Sequence, residues 1–145
     1  MNITHLNELA MIFRDAIENL SRNGVFIHIG LKRYPRGSCG VVSEFLGRYL
    51  LEHGIQSYYI CGFKSNASHA WLAVNDYIID ITGDQFDYCN EKIYIGDISL
   101  ERLGFIAEEN DVRKVLINSF DSYLVKKPMY HDYDLILGYI SSNKY

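Results

Sequence analysis

The chain has 145 residues, nearly half of them hydrophobic, and a net charge of −4. That length and composition fit a single domain over residues 1–145 with its own core, and they exclude global disorder and dependence on disulfide or metal staples. The acidic balance excludes a broad electrostatic grip on nucleic acid or on an anionic membrane.

From Leu6 to Leu20, apolar residues recur every three or four positions (Leu6, Leu9, Ala10, Phe13, Ile17, Leu20), which predicts an amphipathic helix closed by Asn23-Gly24. Val25–Ile29 reads as a short strand or an apolar extension, with His28 in a structural role. The basic run Leu31–Arg36 reads as a solvated edge. Tyr34-Pro35-Arg36-Gly37 predicts a turn, and Ser38 is placed to cap a helix from Cys39 to about His53, with Gly54 as its left-handed terminator. In that helix Val42, Phe45, Leu46, Tyr49 and Leu50 form the buried stripe, while Glu44, Arg48 and Glu52 point elsewhere.

Ile55–Phe63 is rich in β-branched and aromatic residues and predicts a strand, with Cys61 as a small buried hydrophobe. Lys64–Ser68 is a polar loop leading to His69. If Asn75-Asp76 form a two-residue hairpin tip, Val74 faces Tyr77 and Leu72 faces Ile79. Alternation then puts His69, Trp71, Asp80 and Thr82 on one face and an all-apolar set on the other. His69 and Asp80 become diagonal neighbours, roughly 7 Å apart at the backbone. Lys92–Ile95 reads as a further strand and Asp111–Leu124 as a helix stopped by Pro128. Tyr130–Ile140 fits either a helix or a strand. Helices first and strands later predict an α+β domain with helices packed on a small antiparallel sheet.

Three cysteines without regular spacing exclude a disulfide framework and a structural zinc site. Asp84-Gln85-Phe86-Asp87 lacks the glycine and distal glutamate of a calcium loop, so a polar turn is expected, with no metal and no cofactor. Neither a signal sequence nor a membrane-spanning run is present, and a cytoplasmic chain with no membrane partner is expected. Cys89, His5, His53 and His131 read as surface or structural residues.

Cys39, His69 and Asp80 are the parts of an activated thiol. A carboxylate beside a histidine orients one ring nitrogen, a helix N-terminus and an imidazolium lower a thiol's pKa, and the backbone N–H of Cys39 is a ready oxyanion donor. Tyr34, Asn66 and Gln85 are the side chains considered for the second donor. Each residue alone also has an ordinary structural reading; the ordered combination favours the chemical one.

The segments SCGVVSEFLGRYLLEHGI, Gly62, HAWLAV and IIDIT resemble the core of the transglutaminase-like superfamily of papain-like cysteine enzymes. In that family a cysteine starts a helix, a histidine followed by Ala-Trp opens a strand, and an aspartate on the next strand completes a triad. The resemblance implies a papain-like fold, with Cys39 as nucleophile, His69 as general base and Asp80 as its orienter. It also implies a thioester intermediate and a protein or peptide substrate met by hydrolysis, deamidation or acyl transfer. Members include exported bacterial effectors, so export is compatible with it. The alternative is a binding module that keeps the fold without turnover.

Overall fold

The computed structural model describes residues 2–124 and 126–143. Helix α1 (Ile3–Arg22) buries Leu6, Leu9, Ala10, Phe13 and Ile17, the stripe read from the sequence. Asn2 caps it by accepting from the Thr4 N–H at 2.9 Å, and Gly24 takes the positive φ (+66°) that turns the chain away. The next segment is neither strand nor helix. Ile27 and His28 give their N–H groups to the fully buried carboxylate of Asp132, and the His28 ring accepts from Gly30 N–H at 2.9 Å to start a short 3-10 turn, Ile29–Leu31.

Helix α2 (Cys39–Glu52) buries Val42, Phe45, Leu46, Tyr49 and Leu50 as expected. Two details differ from the sequence reading. Ser38 stands at the N-cap position, but its hydroxyl donates to Pro35 O at 2.6 Å and caps no helical N–H. Glu44 points inward and is fully buried, because Arg113 from the sheet meets its Oε1.

Among the described residues the sheet is a curled antiparallel one of seven strands: β1 (Tyr58–Lys64), β2 (Ala67–Val74), β3 (Tyr77–Asp80), β4 (Tyr94–Asp97), β5 (Glu101–Arg102), β6 (Phe105–Ile106) and β7 (Val112–Lys114). Its order is β4-β3-β2-β1-β6-β5, and β7 also pairs with β1. The β2–β3 hairpin has the expected register, with Leu72 opposite Ile79, Ala73 opposite Ile78 and Val74 opposite Tyr77.

The expected helix over Asp111–Leu124 does not form. Val112 pairs with Ile60 as part of β7, Val115 gives its N–H to Ser57 O at 3.0 Å, and Glu109–Asp111 and Ser119–Ser122 make 3-10 turns. The three-residue spacing of these valines fits a helix, but their β-branched side chains serve an edge strand. Pro128 begins a helix rather than ending one. It lies in the first turn of α3 (Lys127–Asn143), where its missing N–H costs nothing, and α3 packs against α1.

Two apolar clusters result. The larger joins the three helices to Leu72, Val74, Ile79 and Ile81 on one face of the hairpin. The smaller, around Ile60, Trp71, Ala73, Ile78, Phe105 and Ala107, covers the other face. Among the described residues no helix is long and apolar enough to cross a membrane.

Candidate active site

Cys39 is the first residue of α2 and half-buried. Burial pushes its thiol pKa up. The hydrogen bond and charge of His69, the Ala70 backbone N–H and the Gln85 side chain pull it down, and they win: the thiol lies below its ordinary value of 9.0. Ala70 lies beyond the end of the β2–β3 ladder, whose last pair is Leu72 with Ile79, and its backbone N–H is one of the groups that lower the Cys39 thiol. The early end of β3 therefore opens the edge of β2 at the point where α2 begins.

His69 is the third residue of β2 and has no solvent exposure. Its Nε2 lies 2.8 Å from Asp80 Oδ2. The ring is boxed by aromatic side chains, with Phe86 edge-on at 5.1 Å and Phe105 at 5.6 Å between centroids. Burial alone lowers the imidazole, but hydrogen bonding and charge from Asp80 and Cys39 outweigh it and raise the pKa from 6.5 to about 9. Asp80, the last residue of β3, is also buried, which favours its neutral form. His69, the Thr82 backbone N–H at 3.0 Å and Arg102 together hold it ionised, with its pKa below the ordinary value. A thiol below its ordinary value beside an imidazole above its own favours transfer of the thiol proton to the imidazole.

Gln85 ends the 3-10 turn Gly83–Gln85 that follows β3. Its Oε1 accepts from Gly37 N–H at 3.2 Å, which fixes the amide orientation and leaves Nε2 facing the site, 3.2 Å from His69 Nδ1. Of the three donors considered from the sequence, only Gln85 lies here. The Tyr34 hydroxyl is buried without a hydrogen-bond partner, its ring under the Arg14 guanidinium, and Asn66 is exposed in the β1–β2 turn.

The face carrying His69 and Asp80 is covered, because β5 and β6 curl over it and close the smaller apolar cluster. That hairpin also brings in a residue the sequence reading missed. Arg102 is 7 % exposed, its Nε donates to Asp80 Oδ2 at 2.9 Å, and its guanidinium lies 3.8 Å from the Tyr94 ring centroid. An arginine directly before the tight turn Leu103-Gly104, both at positive φ, was the only local signal.

The other cysteines are set differently. Cys61 lies on β1 opposite Ala70, half-buried rather than fully buried as expected, and burial, then Cys39 and Asp111, raise its thiol. Cys89 is buried beside Gly83. Asp84 is gripped by Arg14 through two hydrogen bonds of 2.8 and 2.7 Å, and among the described residues no group of three His, Cys, Asp or Glu side chains is placed to hold a metal ion. His53 and His131 make local contacts to Tyr49 O and Asp132. No family model, curated protein or solved structure matches this chain.

Proposed function

We propose that this chain is a transglutaminase-like thiol enzyme of papain-like arrangement, acting on amide or acyl groups of a protein or peptide. The observation that carries the reading is Cys39 at the first residue of a helix with its thiol lowered chiefly by His69, whose buried Nε2 lies 2.8 Å from Asp80 Oδ2. The Cys39 sulfur attacks a substrate carbonyl carbon, forming a C–S bond and a tetrahedral oxyanion. The Cys39 backbone N–H and Gln85 Nε2 face that oxyanion. As the tetrahedral centre collapses, the C–N bond breaks and His69 gives its proton to the departing amine, leaving a thioester on Cys39. Water then yields hydrolysis or deamidation, and a second amine yields transfer. Asp80 keeps the ring oriented throughout.

The test uses p-nitrophenyl acetate as an acyl donor. The expected result is a burst of p-nitrophenolate with acetylation of Cys39 found by peptide mass spectrometry. Cys39→Ala abolishes the burst, and Cys61→Ala and Cys89→Ala keep it. A wild-type chain that acetylates no faster at Cys39 than at Cys61 sinks the enzyme reading and leaves a binding module.

A further inference from the structure

Resting on the thiol-enzyme reading, we propose that Arg102 is a fourth charged member of the site. It is a positioning residue whose guanidinium neutralises Asp80, so that the positive charge on His69 is left to stabilise the Cys39 thiolate.

The geometry is a line of alternating charges. Asp80 Oδ2 is shared by His69 Nε2 at 2.8 Å and Arg102 Nε at 2.9 Å, and all three side chains are buried. Without Arg102, Asp80⁻ and His69⁺ are already a neutral pair in a region that solvates charge poorly, and ionising Cys39 makes the cluster net negative. With Arg102, Asp80 is satisfied from its far side, and the cluster becomes neutral only when Cys39 is ionised. The same guanidinium disfavours excess positive charge, which restrains His69 from holding its proton too tightly to pass to a leaving group.

The surroundings are built for this placement. A Cβ on Gly83 would lie 3.0 Å from Arg102 Nη2 and 3.1 Å from Asp80 Oδ2, so the glycine leaves the room the guanidinium uses. Arg102 Nη2 is buried and has no hydrogen-bond partner, and Tyr94 supplies a ring face in place of a second carboxylate. Asp80 is therefore the only carboxylate bonded to Arg102 among the described residues. The other titratable groups near the line are few. Cys61 and Tyr59 of β1 lie on the Cys39 side, with Asp111 acting on Cys61. Cys89 approaches Gly83, and Lys64 lies beyond Phe105 at 5.9 Å from its ring centroid.

The experiment follows the rate of Cys39 alkylation by iodoacetamide against pH, read on the Cys39 peptide, in wild type, Arg102→Gln and Arg102→Lys, with folding checked by near-ultraviolet circular dichroism. Wild type labels on the acid side of an ordinary thiol. Arg102→Gln keeps a hydrogen-bond donor and drops the charge, and its labelling midpoint rises by about one pH unit, roughly tenfold less labelling near pH 6. Arg102→Lys keeps the charge and its midpoint stays with wild type. Arg102→Met carries the same expectation as the glutamine variant if that one does not fold. An unshifted glutamine midpoint, or a lysine variant shifted as far as glutamine, overturns the proposal. A wild type that already titrates like a free thiol removes the enzyme reading itself and the proposal with it, and that result is visible before any variant is made.

Discussion

Replacing Cys39 by serine removes the group that exchanges a proton with His69, and the loss is readable in how stability depends on pH. In the folded chain the imidazole is held at about 9 against an ordinary 6.5, and the thiol is held below its ordinary 9.0. A raised base contributes stability that is complete below 6.5 and lost as pH climbs through about 9. A depressed acid contributes stability that is complete above 9.0 and lost as pH falls through its folded value. Above both 6.5 and the folded thiol value, and up to 9.0, the folded site keeps its proton on His69 and the unfolded chain keeps one on the cysteine. The proton counts are equal, so this pair gives wild type no slope there. Serine has no proton to give. In Cys39→Ser, stability falls above pH 6.5 by up to about 1.4 kcal/mol per pH unit, for as far as Asp80 alone holds the imidazole up. The rise to about 9 includes the contribution of Cys39, so without it the total loss stays below the roughly 3.4 kcal/mol that the whole shift from 6.5 represents. The assay is urea unfolding from about pH 6 to about pH 9.5, followed by fluorescence of the single tryptophan, Trp71, which is fully buried in the cluster around His69. Parallel profiles for wild type and Cys39→Ser refute the proton exchange between the two side chains.

Three further outcomes are expected. Gln85→Ala slows acetylation of Cys39 by p-nitrophenyl acetate about 100-fold, because one oxyanion donor is gone, while iodoacetamide alkylation, which builds no oxyanion, changes far less. Equal losses in both reactions would instead make Gln85 a determinant of the thiolate. Gly62→Ala puts a Cβ 2.7 Å from Trp71 Cη2 and 3.1 Å from the Phe105 carbonyl carbon, a clash expected to cost about 1–3 kcal/mol in urea unfolding. Asp132→Ala strips a fully buried acceptor from the N–H groups of Ile27 and His28 and from the His131 ring, and costs about 2–4 kcal/mol by the same measurement.

The parts of the molecule legible in the sequence are those fixed by local periodicity. The stripes of α1 and α2 needed only a three-to-four spacing and terminating glycines. The hairpin needed only strand parity and a two-residue tip, and that register selected Asp80 over Asp76 and Asp84 as the partner of His69. What stayed hidden depended on residues far apart in the chain. Glu44 looked like a solvent-facing helix position, and its burial follows from Arg113 arriving on β7. Arg102 carried no signal of its contact with Asp80, which exists because a short hairpin folds back over β1. The misread 111–124 segment failed for a related reason: its apolar spacing matched a helix, and pairing with β1 made Val112–Lys114 a strand.

Three elements that carry site residues are each held by an ion pair with at least one deeply buried partner. Helix α2, which presents Cys39, is tied to β7 by Glu44 and Arg113. The turn that presents Gln85 is tied to α1 by Arg14 and Asp84, and β3, which ends in Asp80, is tied to β5 by Arg102. Apolar contact alone is non-directional and leaves a helix free to slide along a sheet at little cost. A buried carboxylate–guanidinium pair tolerates no such slide, because a displaced partner leaves an uncompensated charge in the interior, at a cost of about 3–5 kcal/mol. Such pairs add little to net stability over apolar replacements of the same size. Their placement around the Cys39–His69–Asp80 line is therefore best understood as fixing geometry: the two apolar clusters assemble the layers, and the three ion pairs set where the thiol, the imidazole and the amide come to rest.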